Sequence, residues 1–211
     1  MRNIVITGGN GMIGSAMVRH LLLSGRYDIT VIDRYSNNLL DLMDKIKYVE
    51  SDIRDIGQYS SRLQGVYCVI HLAAAVHWVP GTAEEEKEFI GTNEEASGAL
   101  FAACEQYGVE RVLFFSTSDV YKDSKELIDE NTEVSPQNIY GHTKLAAERA
   151  ALKIFSEKGL PVCIFRPSSV FGKGDKGSMK TLVSLCRRGL IPVVGVGENK
   201  KALLYLGDVM T

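Results

Sequence analysis

Tyr140 and Lys144 stand four residues apart in the stretch NIYGHTKLAAE, 138–148. Alone, neither is a useful acid or base near neutrality: free tyrosine loses its proton near pH 10 and lysine near 10.4. Residues four apart on a helix share a face, so the two side chains can point into one site. The lysine's positive charge would there favour the phenolate, and a second cation would add to the effect. Bringing a phenol from about 10 to about 7 takes roughly 4 kcal/mol, at about 1.4 kcal/mol per unit. Two cations in a poorly solvated site supply energy of that order. The pair would then move a proton to or from a substrate oxygen. The same two residues also fit an ordinary aliphatic–aromatic contact on a helix surface, and the elements around them must decide. His142, between them, points to another face and reads as surface.

Short apolar, β-branched runs alternate with longer helical patterns. The strand candidates are NIVIT (3–7), DITVID (28–33), KYVE (47–50), VYCVIHL (66–72), RVLFFS (111–116) and VCIFRP (162–167), with helical stretches over 11–24, 84–107 and 138–158. This alternation predicts an α/β fold of βαβ units, with a parallel sheet covered by helices on both faces. The near-continuous hydrophobic strands suit that burial. Right-handed crossovers make a Rossmann-type doubly wound sheet the expected topology. Beyond about residue 170 the pattern loosens into a loop, a helix and one or two short strands. The expected division is a dinucleotide-binding part over 1–170, holding the reactive residues, and an incomplete substrate-binding part with the last sheet strand over 171–211.

The first strand runs straight into TGGNGMIG, with Gly8, Gly11 and Gly14 spaced GxxGxxG, and a helix follows at once. One glycine makes the tight turn, one lets the backbone approach a pyrophosphate, and one lets helix and strand pack closely. The helix N-terminus then offers N–H groups and partial positive charge to phosphate. The fingerprint also asks for an acid about 20 residues on, at the end of the second strand, where Asp33 stands. Its carboxylate would bind the ribose hydroxyls and repel a 2′-phosphate, which favours NAD over NADP. Arg34 beside it is a guanidinium able to hold such a phosphate. Asp52, after the third strand, is placed to accept a hydrogen bond from an adenine amino group, and Asp55 nearby could equally cap the next helix. HLAAA, 71–75, with Ala73 and Ala74, leaves room for a flat ligand or for tight helix–sheet packing.

Taken together, these residues resemble the extended short-chain dehydrogenase/reductase family, the NAD-dependent epimerase/dehydratase group. TGGNGMIG is similar to its TGxxGxxG, Asp33 and Asp52-Ile53 to its ribose and adenine positions, HLAAA to its HxAA strand end, STSDVY (116–121) to its S-S/T-x-x-V-Y, YGHTK to its YxxxK, and RPSSVFG (166–172) to its RPxxVYG. The resemblance implies a catalytic Thr117, Tyr140 and Lys144. Lys144 would also hold the nicotinamide ribose, and the oxidised nicotinamide would be the second cation. It further implies that Met12, Ile13, Leu72, Ala73 and Ser168 line the dinucleotide and that Asn93 lies near it. The family's usual substrates are nucleotide sugars. Two departures stand out. Ser118-Asp119 replaces the Asp-Glu pair of the 4,6-dehydratases, which removes the expected acid for water elimination. Ser169 stands where many members have asparagine.

The expected activity is therefore an NAD-dependent nucleotide-sugar epimerase working by transient hydride transfer. The alternatives are a reductase or dehydrogenase of a keto-sugar or other secondary alcohol, and a truncated, non-catalytic dinucleotide-binding module. The chain has 211 residues, 45% of them hydrophobic, and a net charge of −2, so it has no basic excess for nucleic acid or anionic membranes. It has neither a secretory signal pattern nor an apolar run of about 18 residues, and the expected location is cytoplasmic. Cys68, Cys104, Cys163 and Cys186 lie far apart and are expected to be buried, reduced thiols. No His/Asp/Glu/Cys grouping has metal-ligand spacing, and no metal is predicted. Trp78 would line the substrate entrance or anchor a loop. Helices 84–107 and 138–158 would form a homodimer surface, and the last residues resemble a family pattern that precedes a further, small substrate-binding domain.

Overall fold

Along the chain, β1 (Arg2–Thr7) passes through the glycine loop into α1 (Met12–Leu23), then β2 (Tyr27–Asp33), β3 (Lys47–Glu50), α2 (Ile56–Tyr59) and β4 (Cys68–His71). Next come α3 (Ala83–Phe89), α4 (Ala96–Gln106), β5 (Val112–Phe115), α5 (Ile139–Lys158), β6 (Val162–Phe165), β7 (Ser169–Phe171), α6 (Ser178–Arg187) and β8 (Leu203–Tyr205). This computed structural model describes residues 1–76, 80–124, 126–175, 178–190, 193, 196–198 and 200–211. Trp78, expected to line the substrate entrance or to anchor a loop, lies outside the described residues.

The first six strands form one sheet in the order β3-β2-β1-β4-β5-β6, and every pairing is parallel. The strand order reverses between β1 and β4, and a crevice opens there beyond the carboxyl ends of the strands. Side chains alternate across each strand. In β1, Ile4 and Ile6 join Met17 and Val18 of α1 in one core, while Val5 joins Leu100, Phe101 and Ala147 of α4 and α5 in the other. Helices on both faces are thus built into the sequence of β1. Among the described residues, no helix is long and apolar enough to cross a membrane.

Three expectations need correction. The helical stretch 84–107 is interrupted by a π-helical turn at Ile90–Glu95, between α3 and α4, because the turn buries Asn93. The final strand β8 does not extend the main sheet; it pairs with β7 in a separate two-stranded sheet. Nor are the four cysteines all buried: Cys104 is, Cys68 is half-buried, and Cys163 and Cys186 are exposed. Cys163 sits on β6, the edge strand of the sheet, whose other three residues are half-buried. Burial pushes the Cys104 thiol up to about 12 and the Cys68 thiol up to about 11.

Helix α5 matches the predicted 138–158. Asn138 caps it by accepting a hydrogen bond from the Gly141 N–H at 2.7 Å, and Gly159 ends it in the left-handed conformation, φ 75°. Its buried stripe includes Gly141, Thr143, Lys144, Ala147, Glu148 and Ala151. Two ionisable residues in that stripe are unusual, since such side chains are almost never fully buried unless paired.

Gly8 has φ +71°, and a Cβ there would lie 2.6 Å from the Ala73 nitrogen at the end of β4. Gly25 also has a positive φ, +63°, but a Cβ there would meet nothing within 4 Å. Gly25→Ala should therefore lose only the left-handed penalty, about 1–2 kcal/mol. Gly8→Ala should lose that and the contact with β4 as well. Urea melts of the two variants test this; equal losses would show that the loop is not pressed against Ala73.

Candidate functional site

The crevice is a cleft of about 1750 Å³. Gly8, Gly11, Met12, Ile13 and Gly14 line it from the loop and first turn of α1. A Cβ on Gly14 would meet the Gly8 carbonyl oxygen at 2.2 Å, so only glycine lets the helix start this close to the turn. No side chain caps α1 at Gly11, and no acid stands in its first turn. The residues whose N–H groups need partners thus face the cleft, as an anion site requires.

Asp33 closes β2 and is held from two sides: Oδ2 accepts the Asn10 N–H at 2.9 Å and Oδ1 the Tyr35 N–H at 3.2 Å. Asn10 also accepts two hydrogen bonds from Asn38, its Oδ1 from the Asn38 N–H at 2.7 Å and its carbonyl from Asn38 Nδ2 at 2.6 Å, which tie the glycine loop to the segment after β2. Asn10 occupies a variable position of the glycine motif, and nothing in the motif marked it. Arg34 lines the cleft, half-exposed, with Asp52 at 3.7 Å and Glu88 at 4.0 Å. Asp52 and Ile53 line it as well. The Asp52 carboxylate accepts from Arg54 Nε at 2.9 Å and Nη2 at 2.7 Å, and this pairing holds its pKa below the usual range. Asp55 precedes α2 without a capping side-chain bond.

Leu72, Ala73, Ala74 and Ser168 line the cleft. Asn93 is not among its lining residues. It is fully buried, Oδ1 accepts the Ala75 N–H at 2.7 Å, and Nδ2 donates to the Ala75 carbonyl at 3.0 Å and to Thr143 Oγ1 at 3.2 Å. Its amide is spent within the protein, where it ties the segment after β4 to α5. Thr143 Oγ1 in turn donates to the Tyr140 carbonyl at 3.0 Å.

A second buried string meets the first at Asn93. Ser97 Oγ donates to the Asn93 carbonyl at 2.6 Å. That leaves its lone pairs for the His71 Nε2–H at 2.8 Å, and His71 Nδ1 then accepts from Thr7 Oγ1 at 2.7 Å. Each hydroxyl has one proton to give, so the string assigns His71 to the Nε2–H tautomer. Burial, aided by the charge on Lys144, holds its pKa well below the ordinary value, and the ring is neutral.

Thr117, Tyr140 and Lys144 all line the same cleft. Thr117 follows β5; its Oγ1 accepts the Asp119 N–H at 3.1 Å and keeps its own proton to donate. Tyr140 is half-buried. Lys144 is 1% exposed, with Nζ 4.2 Å from the centroid of the Phe114 ring. Gly141 lets α5 press against the turn after Thr117, since a Cβ there would lie 2.3 Å from the Asp119 carbonyl oxygen. The expected lowering of the phenol is not what the protein's own groups produce. Burial pushes Tyr140 up, and the Asp119 charge adds to this. Burial also draws Lys144 down to about 7, against the opposing charge of Glu148. Desolvation outweighs the attraction that spacing alone suggested. Ser116 Oγ, also on the cleft wall, is the one buried side-chain polar atom without a hydrogen-bond partner among the described residues.

The model of the NAD dependent epimerase/dehydratase family matches residues 4–211. The chain belongs to this family. It is 30% identical, over 99% of its own length and 34% of the relative's, to a trifunctional UDP-glucose 4,6-dehydratase/UDP-4-keto-6-deoxy-D-glucose 3,5-epimerase/UDP-4-keto-L-rhamnose-reductase of Arabidopsis thaliana. It is 25% identical to the N-acetyl-alpha-D-glucosaminyl-diphospho-ditrans,octacis-undecaprenol 4-epimerase of Escherichia coli O157:H7, over 99% of this chain and 61% of that one. The structure of UDP-N-acetylglucosamine 4-epimerase from Methanobrevibacter ruminantium M1, in complex with UDP-N-acetylmuramic acid, superimposes with a TM-score of 0.87 at 28% identity, over 99% of this chain and 70% of that one. A Streptomyces venezuelae dTDP-glucose 4,6-dehydratase double mutant with NAD bound gives 0.87 at 27% identity, over 100% and 70%. The chain thus spans 34% and 52% of the lengths of the first two curated relatives.

Asn93→Ala would strand the Ala75 N–H and carbonyl in the core. Each buried group left unpaired costs about 1–3 kcal/mol, so the variant should lose at least about 2 kcal/mol in a urea melt. A loss below about 0.5 kcal/mol, typical of a surface change, would refute the tie.

Proposed function

We propose that this chain binds NAD and carries the proton-transfer residues of a nucleotide-sugar epimerase that works by transient hydride transfer at a sugar hydroxyl carbon. The observation that carries this reading is that Thr117, Tyr140 and Lys144 line one cleft with Gly8, Gly11, Gly14 and Asp33. The residues present fit a dinucleotide. A side chain at Gly8 or Gly14 would collide with backbone, the N-terminus of α1 is free of side-chain caps, and the unpartnered Ser116 hydroxyl stands on the wall. Asp33 would take the ribose hydroxyls, and the first turn of α1 the pyrophosphate. Leu72, Ala73, Ala74, Ile53 and Ser168 would flank the bound molecule, and Lys144 would hold the nicotinamide ribose. The Asp33 carboxylate disfavours a 2′-phosphate, while Arg34 already stands between two acids; both favour NAD over NADP.

When bound, NAD supplies the hydride acceptor and a positive charge beside the phenol. Thr117 orients the sugar hydroxyl by hydrogen bonding to its oxygen. Tyr140 takes the hydroxyl proton as the carbon is oxidised and gives it back as the carbon is reduced. Return of the hydride on the opposite face gives the epimer. Residues 1–170 would be the NAD-binding part and 171–211 the start of the substrate-binding part. Asp119 is the only acid of the Ser118-Asp119 pair, which weighs against water elimination. A homodimer through α4 and α5 is supported by the exposure of Leu152 and Phe155, 52% and 53%, and sedimentation of the purified chain tests it: a monomer at high concentration would refute it.

The second reading is a dehydrogenase or reductase of a secondary alcohol. It is favoured by the 26% identity, over 94% of this chain and 56% of the relative, to a 3-beta-hydroxysteroid dehydrogenase of Mycolicibacterium neoaurum. Natively isolated protein separates the two. Tightly held NAD with no net NADH supports the epimerase; stoichiometric NADH production assigns the dehydrogenase; a folded chain that binds no NAD sinks both. Tyr140→Phe should lower hydride transfer by about 10²–10⁴-fold, the usual contribution of a positioned acid–base group. Its NAD affinity, read by calorimetry, should stay within a few-fold of the parent chain.

A further inference from the structure

Lys144 and Glu148 are each 1% exposed. They are four apart on α5 and so share its inner face. Arg166, just past β6, closes on the Glu148 carboxylate with Nε at 2.9 and 3.2 Å and Nη2 at 2.6 Å. Its Nη1 donates to the Tyr121 phenol oxygen. Tyr121 ends the 3₁₀ turn Ser118–Val120 that follows Thr117. One guanidinium thus joins the helix of Tyr140 and Lys144 to the turn of Thr117. Replacing a buried ion pair with apolar residues is often neutral or stabilising, so packing alone does not require a carboxylate here. Its neighbour, a buried lysine whose ammonium lies over the Phe114 ring, gives it a use.

We propose that Glu148, clamped by Arg166, is a positioning residue for Lys144: its fixed carboxylate is the counter-charge that favours the ammonium form of the buried lysine on the face of α5 that also carries Tyr140. The charge on Lys144 does not depend on the epimerase reading; its use in proton transfer does. On α5, Tyr140 and Glu148 stand four residues to either side of Lys144, and the Glu148 charge acts on it. From β4, His71, neutral in its Nε2–H tautomer, feels its charge; on β5 the Phe114 ring lies 4.2 Å from its ammonium. Beyond Glu148 stand Arg166 and Tyr121, and Asp119 acts on Tyr140 from the turn. Burial draws Lys144 down to about 7, and the Glu148 charge is what opposes it. Without that carboxylate the burial is unopposed and Arg166 adds a like charge, so the midpoint falls further. A lysine is charged below its midpoint. With a midpoint near 7 the parent Lys144 is partly charged at neutral pH, so Glu148→Gln lowers that charged fraction, and any rate that needs the charge declines at lower pH than in the parent.

The test is an NMR titration of the whole chain labelled with ¹³C at the lysine ε-carbon, with Lys144→Arg assigning the resonance. The parent midpoint should lie near 7, and Glu148→Gln should lower it by about one unit, a tenfold change in the acid constant. If that variant does not fold, Glu148→Gln/Arg166→Met removes both charges of the pair and should show a smaller drop in the same direction. An unmoved midpoint in either folded variant overturns the proposal, since a merely structural Glu148 would leave it in place. Calorimetry with NAD on the same samples keeps the two questions apart. A lowered midpoint in a chain that binds no NAD upholds the Glu148 assignment and defeats the epimerase reading.

Discussion

The amide of Asn93 is the joint on which the site depends. The π-helical turn inserts an extra residue where α3 passes into α4, and such turns re-aim side chains at functional sites. Here the turn aims Asn93 into the core, where it grips the segment after β4 through both backbone groups of Ala75 and reaches Thr143 on α5. Its own carbonyl receives Ser97, which leads through His71 to Thr7 at the end of β1. The glycine loop grows out of β1, and Tyr140 lies one hydrogen bond from Thr143. The relative placement of phosphate loop and phenol is therefore set in a dry core of satisfied polar groups. In such a medium each bond is stronger than in water, and each missing partner costs more.

The same burial that makes those bonds strong governs the ionisable groups. An exposed lysine four residues from a tyrosine would gain little from it, since surface charge pairs contribute about 0–1 kcal/mol. With Lys144 out of water the terms grow, and they do not all push one way. Desolvation penalises the phenolate and the ammonium alike, which is why Tyr140 moves up and Lys144 moves down. The fold counters this with Glu148 and with the π-face of Phe114. Arg166, fixed by three contacts to the carboxylate, holds the counter-charge in place from β6. Tyr140 and Lys144 thus stand at one edge of a cluster made by α5, the Phe114 ring of β5 and Arg166 just past β6.

How much of this the sequence disclosed follows from what periodicity can carry. The near-continuous apolar runs and helical stretches place all six strands of the main sheet, because β1 shows both cores in successive residues, Ile4, Val5 and Ile6. The glycine spacing found the loop, since a Cβ at Gly8 or Gly14 meets backbone that cannot move aside. Asn93, in contrast, was assigned to the cleft by resemblance, and no periodic signal announces a π-turn or an inward amide. Glu148 escapes for the opposite reason. A charged residue on an amphipathic helix reads as surface, and only the fold brings the Arg166 guanidinium from beyond β6 to pair with it. The thiol of Cys163 went wrong through strand order: an apolar run does not say that its strand lies at the sheet's edge.

Asp33 and Arg34 show how geometry settles what adjacent residues leave open. Side by side they favour opposite cofactors, the carboxylate rejecting a 2′-phosphate and the guanidinium welcoming one. The structure treats them unequally. Both Asp33 oxygens are fixed by backbone N–H groups, one from the glycine loop itself, so the carboxylate is locked at the loop's side and retains lone pairs for two hydroxyls. Arg34 has half its side chain in solvent and only long approaches to Asp52 and Glu88. A phosphate would have to draw it away from two acids and sit beside an immovable third. A pre-organised acceptor gains more from its ligand than a solvated cation that must be reordered. On the proposed reading, this inequality makes the cleft an NAD site.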